Sequence, residues 1–257
     1  MRGEVQRVVL ADRPEAVARL YCLPPSGCGP GSFLPWAAAS PTWMEVCSIS
    51  MPGRGGRSSE PSLTDTTHVV ECLARIMDDD ADQRPFAVFG HSVGALLAFE
   101  TALHLRRHGG RLPVWLGLSS LAGPQGGAYA KNMLGLLAGG LGKISELLGR
   151  PIPPRVLDDA RLMGALATPL LADFLLLAHH RYTPQPPLEV PLALYGGQGD
   201  TAVSTGQLAA WNELFTTPAP VRLFPGGHMY ATADPGELVE QVAADLHRAV
   251  SAPVRIV

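Results

Sequence analysis

The chain has 257 residues, 46% hydrophobic and 17% charged, which is enough to bury a full core and to form one domain over 1–257. Its net charge of −3, with no basic run and no aromatic-basic patch, argues against nucleic acid as the main partner. The opening Met1-Arg2-Gly3-Glu4-Val5-Gln6-Arg7 lacks the apolar run of a signal peptide, and no stretch of about 18 uncharged apolar residues is present, so no membrane partner is expected.

Strand-like and helix-like segments alternate along the chain, the pattern of parallel βαβ units in an α/β fold with a doubly wound sheet. Ala18–Leu23 reads as the first strand, followed by a Pro/Gly-rich loop from Pro24 to Gly31, and Met44–Ser50 reads as the second. Cys22, Cys28, Cys47 and Cys72 show no C-x-x-C spacing and are read as free thiols of a cytoplasmic protein. A helix over Thr66–Met77 places Val69, Val70, Leu73, Ile76 and Met77 on one face, with Thr64 or Asp65 as its cap. Asp78, Asp79 and Asp80 follow as a solvated charge run. Phe86–Phe89 is a strand leading into a helix over Ala95–Arg107, and Val114–Ser119 is the next strand.

Between Pro124 and Pro187 the alternation stops. The stretch is rich in Gly, Leu and Pro and is helical, which in a sheet of short connections suggests an inserted helical lid over about 124–187. Its apolar stripe from Met133 to Leu148, interrupted by glycines, fits a helix packed on the core and a mobile cover for an acyl chain equally well. The Leu-rich segment from Leu162 to Ala178 is broken by Pro169 and Asp173. Strands at Pro191–Tyr195 and Val221–Phe224 follow, with helices over Gln207–Leu214 and Glu237–Arg248.

Gly90-His91-Ser92-Val93-Gly94 reads G-x-S-x-G between a strand and a helix. In that setting the serine hydroxyl projects above the sheet, and the glycines are needed because a Cβ would collide with the neighbouring strand and helix. A serine needs a histidine base oriented by a carboxylate, and on this kind of sheet the order is Ser, Asp, His. Asp200 follows Gly196-Gly197-Gln198-Gly199 after one strand, and His228 follows Gly226-Gly227 after the next. Both occupy strand C-terminal ends, where sites on open α/β sheets form. Ser92, Asp200 and His228 are therefore the candidate catalytic residues. The backbone N–H groups of Val93 and Ser26 are the candidate oxyanion donors. His91 should point away from the hydroxyl, in packing or a local hydrogen bond. His179-His180 diverge and have no third ligand, so no metal and no cofactor are expected.

These residues resemble the type II (external, editing) thioesterases that accompany non-ribosomal peptide and polyketide synthases, within the α/β-hydrolase superfamily. Leu23-Pro24-Pro25-Ser26-Gly27-Cys28-Gly29, with Phe33 and Trp36, is similar to the family's F-P-H-A-G-G-x loop followed by an aromatic and a Trp. Met51-Pro52-Gly53-Arg54-Gly55-Gly56-Arg57 with Glu60-Pro61 is similar to its P-G-R-x-x-R-x-x-E-P segment, and Gly90 to Glu100 to its nucleophile block. The chain departs from the pattern at Pro25 and Ser26, at Leu171-Ala172-Asp173 (an R-A-D segment without its Arg) and at His179-His180-Arg181-Tyr182, where an aromatic-rich segment is usual. The resemblance implies hydrolysis of thioesters on the 4′-phosphopantetheine arm of acyl or peptidyl carrier proteins, by a monomer. A chain-releasing thioesterase, a general carboxylesterase and a carrier-binding partner without turnover are the alternatives.

Overall fold

The computed structural model describes residues 3–78, 83–149 and 151–251; Asp79 and Asp80 of the acidic run lie outside them. Seven strands form one sheet in the order β1-β3-β2-β4-β5-β6-β7. They are β1 (Gln6–Ala11), β2 (Ala18–Leu23), β3 (Met44–Ser50), β4 (Phe86–His91), β5 (Trp115–Ser119), β6 (Leu192–Gly197) and β7 (Val221–Phe224). All neighbours run parallel except β1, which pairs antiparallel with β3 at the edge. This is the α/β-hydrolase arrangement, in which the C-terminal ends of the parallel strands share one rim of the sheet.

The sequence missed β1. Gln6–Ala11 is largely exposed, so it offers neither a buried run nor a clean alternation; its pairing with β3 defines it as a strand. β2, β3, β4 and β5, by contrast, are buried along almost their whole length, as parallel strands covered on both faces must be.

Helices α1 (Leu34–Ala39), α2 (Thr66–Asp78) and α3 (Val93–His108) precede the insertion. In α2 the predicted face is the packed one: Val69, Val70, Leu73 and Met77 are buried and Ile76 is half-buried, each fully buried side chain stabilising by about 1.5–3 kcal/mol. Asp65, of the two candidate caps, accepts from the N–H groups of Thr67 and His68 at 3.0 and 3.4 Å. The insertion contains α4 (Ala128–Ala138), α5 (Gly140–Leu147), α6 (Pro154–Leu157) and α7 (Ala160–His179). No described residue between 124 and 187 forms a strand. Gly139 separates α4 from α5, and Gly140, at φ +62°, opens α5. The apolar stripe divides accordingly: Met133 and Leu147 are buried, while Leu134 and Leu141 face solvent.

After β6 come α8 (Thr205–Ala209), a 3₁₀ turn over Ala210–Leu214, α9 (Tyr230–Ala233) and α10 (Gly236–Ser251). One core cluster lies under α2, α3, α7 and Trp211, and the other lies on the opposite face under α1 and α10. By length and composition α7 could cross a membrane, but it carries Pro169 and a buried, ion-paired aspartate, Asp173.

Candidate active site

β4 ends at His91, and α3 begins two residues later. The reversal leaves Ser92 at φ 55°, ψ −123°, a backbone conformation that costs a residue with a side chain about 1–3 kcal/mol. A Cβ at Gly90 would lie 2.2 Å from the Gly94 carbonyl oxygen, and one at Gly94 would lie 2.3 Å from that of Leu23. Both glycines are therefore demanded by the close packing of β2, β4 and α3 around the turn. The Ser92 N–H donates to the Ser119 carbonyl at 2.8 Å, tying the turn to β5.

The predicted partners converge on this serine. His228 Nε2 lies 3.1 Å from Ser92 Oγ, and its Nδ1 lies 2.9 Å from Asp200 Oδ2. Asp200 Oδ1 accepts from the N–H groups of Ala202 and Val203 at 2.9 and 3.2 Å. Burial pushes the Asp200 carboxyl up, but the His228 hydrogen bond and charge, with help from Ala202 N–H and Ser120, hold it below the ordinary carboxylate value. The loops carrying the two residues are laced together: Gln198 N–H donates to Phe224 and Gly199 N–H to Gly226, both at 2.8 Å. Gly197 allows this approach, since a Cβ there would lie 2.3 Å from the Gly227 carbonyl oxygen. Behind His228, the Trp36 indole donates to the Ala231 carbonyl at 2.7 Å and anchors α9.

His91 points away from Ser92, into the protein. Its Nδ1 pairs with Ser119 Oγ at 2.8 Å, and Ser119 Oγ pairs with Tyr230 OH at 2.8 Å. Burial, with the neighbouring His228 adding to it, pushes His91 down to about 3, so it is neutral at pH 7. The four cysteines are free thiols, and burial pushes the Cys47 thiol up to about 12. Among the described residues no group of three or more His, Cys, Asp or Glu side chains is placed to hold a metal.

Sequence reasoning missed what holds the loop after β2. Asp173, 1% exposed, makes a two-pronged ion pair with Arg54 at 2.6 and 2.7 Å, and its Oδ2 accepts the Gly27 N–H at 2.8 Å. Arg54 also donates to the Cys28 carbonyl at 3.3 Å. The loop is gripped just past Ser26. Gly27 N–H is thereby occupied, whereas the N–H groups of Ser26 and Val93 donate to no other group among the described residues. Arg54 lies in a segment noted for its resemblance and Asp173 also breaks a Leu-rich run, 119 residues apart; no local signal links them.

Ser92 and His228 open onto a cavity of about 30 Å³, walled by Tyr129, Met133, Phe174 and Leu177. That is room for little more than a water molecule beside Ser92, and residues of the insertion form much of its wall. A larger groove of about 580 Å³ lies on the outer side of α2, α3 and the end of α7, lined by polar groups including Thr66, Glu100, His104 and His180. It does not reach Ser92.

The parallel sheet, the strained serine turn and the rim position of Asp200 and His228 define an α/β-hydrolase. Residues 18–249 match the model of the thioesterase domain family, and the chain belongs to that family. The gramicidin S biosynthesis protein GrsT of Aneurinibacillus migulanus is 35% identical over 240 residues, covering 93% of this chain and 92% of its own length. Among solved structures, the RedJ thioesterase of the prodiginine pathway in Streptomyces coelicolor superposes with a TM-score of 0.79 at 28% identity, covering 91% of this chain and 92% of its own. The type II thioesterase BorB of the borrelidin cluster does so at 0.75 and 27%, over 93% of this chain and 97% of its own.

Proposed function

We propose that this chain is a type II thioesterase that clears acyl, aminoacyl or polyketidyl groups from the 4′-phosphopantetheine arm of carrier proteins in polyketide or non-ribosomal peptide synthesis. The observation that carries the reading is the Ser92–His228–Asp200 chain of hydrogen bonds, at 3.1 and 2.9 Å, on a strained turn facing an apolar cavity. His228 Nε2 takes the Ser92 proton as Oγ attacks the thioester carbonyl, and Asp200 holds the imidazole in the required tautomer. Val93 and Ser26 N–H groups receive the oxyanion. His228 then protonates the departing pantetheine sulfur, activates water against the acyl-serine and returns the proton to Ser92 as the free acid leaves. The cycle as proposed uses no metal or cofactor. The partner is a carrier domain, met by a cytoplasmic monomer whose 124–187 insertion acts as the lid.

Clearing stalled groups is favoured over releasing or cyclising a finished chain by the likeness to a type II thioesterase, BorB. The test is a hydrolysis panel of acyl groups loaded on a carrier protein, beside the same groups on free thioesters and nitrophenyl esters. Carrier-bound short acyl groups should be turned over fastest, and Ser92→Ala should lower kcat by about 10⁶-fold. Faster turnover of the nitrophenyl esters would make the chain a general esterase. Activity persisting in Ser92→Ala would overturn the mechanism.

A further inference from the structure

Glu100 closes the sequence block that begins at Gly90, yet the proposed reaction gives it no task. It lies on α3, the helix that starts beside Ser92, eight residues on and so roughly 12 Å further along the axis. Its Oε1 is 2.8 Å from His180 Nε2, and the other ring nitrogen, Nδ1, is 2.8 Å from Tyr129 OH. Three elements meet in this chain: the core helix α3, the residue that caps the C-terminus of α7, and the first turn of α4. Partners stand at both ring nitrogens, a carboxylate at Nε2 and a phenol at Nδ1, and the Tyr129 hydroxyl also donates to the His180 carbonyl at 3.3 Å. Burial raises the Tyr129 hydroxyl above its ordinary value, so at neutral pH the phenol keeps the proton it donates.

The two ends of the chain face different spaces. Tyr129 walls the small cavity that opens at Ser92 and His228. His180 and Glu100 line the groove of about 580 Å³ on the outer side. The side chains stand back to back, with the Tyr129 and His180 ring centres 6.0 Å apart. We infer that Tyr129, held in place by His180 and Glu100, is the partition between the acyl cavity and the outer groove and sets the length of acyl group the enzyme accepts. Tyr129 is the specificity-determining wall; His180 and Glu100 are positioning residues that act through it. With its hydroxyl drawn outward onto His180, the ring presents only carbon to the cavity. Removing the ring widens the cavity toward the groove and gives a longer chain somewhere to go.

The inference rests on the thioesterase reading. Its test begins with the wild-type enzyme on acetyl, butyryl, hexanoyl and octanoyl N-acetylcysteamine thioesters, with Ser92→Ala as the blank. Absence of Ser92-dependent hydrolysis across this series would defeat the thioesterase reading itself. Given that hydrolysis, Tyr129→Ala should raise the octanoyl-to-acetyl ratio of kcat/KM by about tenfold or more, at least one methylene's worth of discrimination. Tyr129→Phe and His180→Ala keep the ring but free it, and each should shift the ratio the same way by a smaller factor, through KM for the long chains. Because both break the contact between the Tyr129 hydroxyl and His180 Nδ1, their double variant should fall short of the sum of the two single effects. Glu100→Gln retains an acceptor for His180 and should keep the wild-type ratio, whereas Glu100→Ala should not. The inference is overturned by an unchanged ratio in Tyr129→Ala. It is also overturned by His180→Ala and Tyr129→Phe effects that add, or that lower every chain length equally. Should Tyr129→Ala fail to fold, the Tyr129→Phe and His180→Ala cycle decides the question alone.

Discussion

Asp200 commits both carboxylate oxygens before any substrate arrives, one to the N–H groups of Ala202 and Val203 and the other to His228. Its pKa is held below the ordinary 3.8, and a depressed carboxylate contributes stability above that value and loses it as pH falls through the folded one. Asp200→Asn should lower kcat on an acyl thioester by about 10⁴-fold, through loss of the correct imidazole tautomer. It should also lower the urea midpoint at pH 6, and the gap between variant and wild type should close below pH 3.8. A gap that widens on acidification would contradict the sign of the shift. The residue types and order of this trio were legible in the sequence, because a serine at a strand-to-helix turn and two Gly-rich strand ends each carry a local signature. Asp65 as the cap of α2 was legible to within one residue for the same reason.

The elements around the site depend on contacts that span them. Asp173 lies midway along α7 and reaches Arg54 in the loop after β3 and Gly27 in the loop after β2. Asp173→Ala would strand a buried guanidinium and an N–H together. Breaking such a pair costs about 3–5 kcal/mol, far more than the pair itself contributes, and this should appear as a lowered chemical-denaturation midpoint. It should also lower kcat beyond the stability effect, because the loop carrying Ser26 loses its grip; full kcat in a folded Asp173→Ala protein would show that the clamp is only structural. At the turn, Gly94→Ala places a methyl group 2.3 Å from the Leu23 carbonyl oxygen, so β2 and α3 must separate. That variant should yield little soluble protein, with any that folds markedly destabilised against heat. Periodicity gave the extent of α2 and of β2, β3 and β7, whose apolar positions are dense and bounded by turn residues. It failed at Gln207–Leu214, which the structure divides into α8 and a 3₁₀ turn: side chains at helical spacing do not distinguish the two hydrogen-bond patterns.

For the molecule as a whole, the buried His91 sets a pH dependence distinct from that of Asp200. Its pKa falls from 6.5 to about 3 on folding. Below 6.5 the unfolded chain binds a proton that the folded protein refuses. The contribution is therefore neutral above that pH and increasingly destabilising below it, at about 1.4 kcal/mol per pH unit and about 2 kcal/mol by pH 5. Urea unfolding of the wild type should weaken between pH 6.5 and 4, and His91→Asn should flatten that limb. Equal slopes in the two proteins would remove His91 as the cause.

The amino-acid sequence by itself determined the parallel α/β architecture, the place of the helical insertion and the three residues that meet at the turn. Each of these is written in local periodicity, turn chemistry or chain order. Only the tertiary structure decided that the Arg54–Asp173 pair grips the loop after β2, that the insertion leaves about 30 Å³ beside Ser92, and that Glu100, His180 and Tyr129 join three elements in one chain of hydrogen bonds. Glu100 and His180 are 80 residues apart, and Arg54 and Asp173 119. Such pairs form because packing brings their elements together, and nothing in the spacing of either partner records the other.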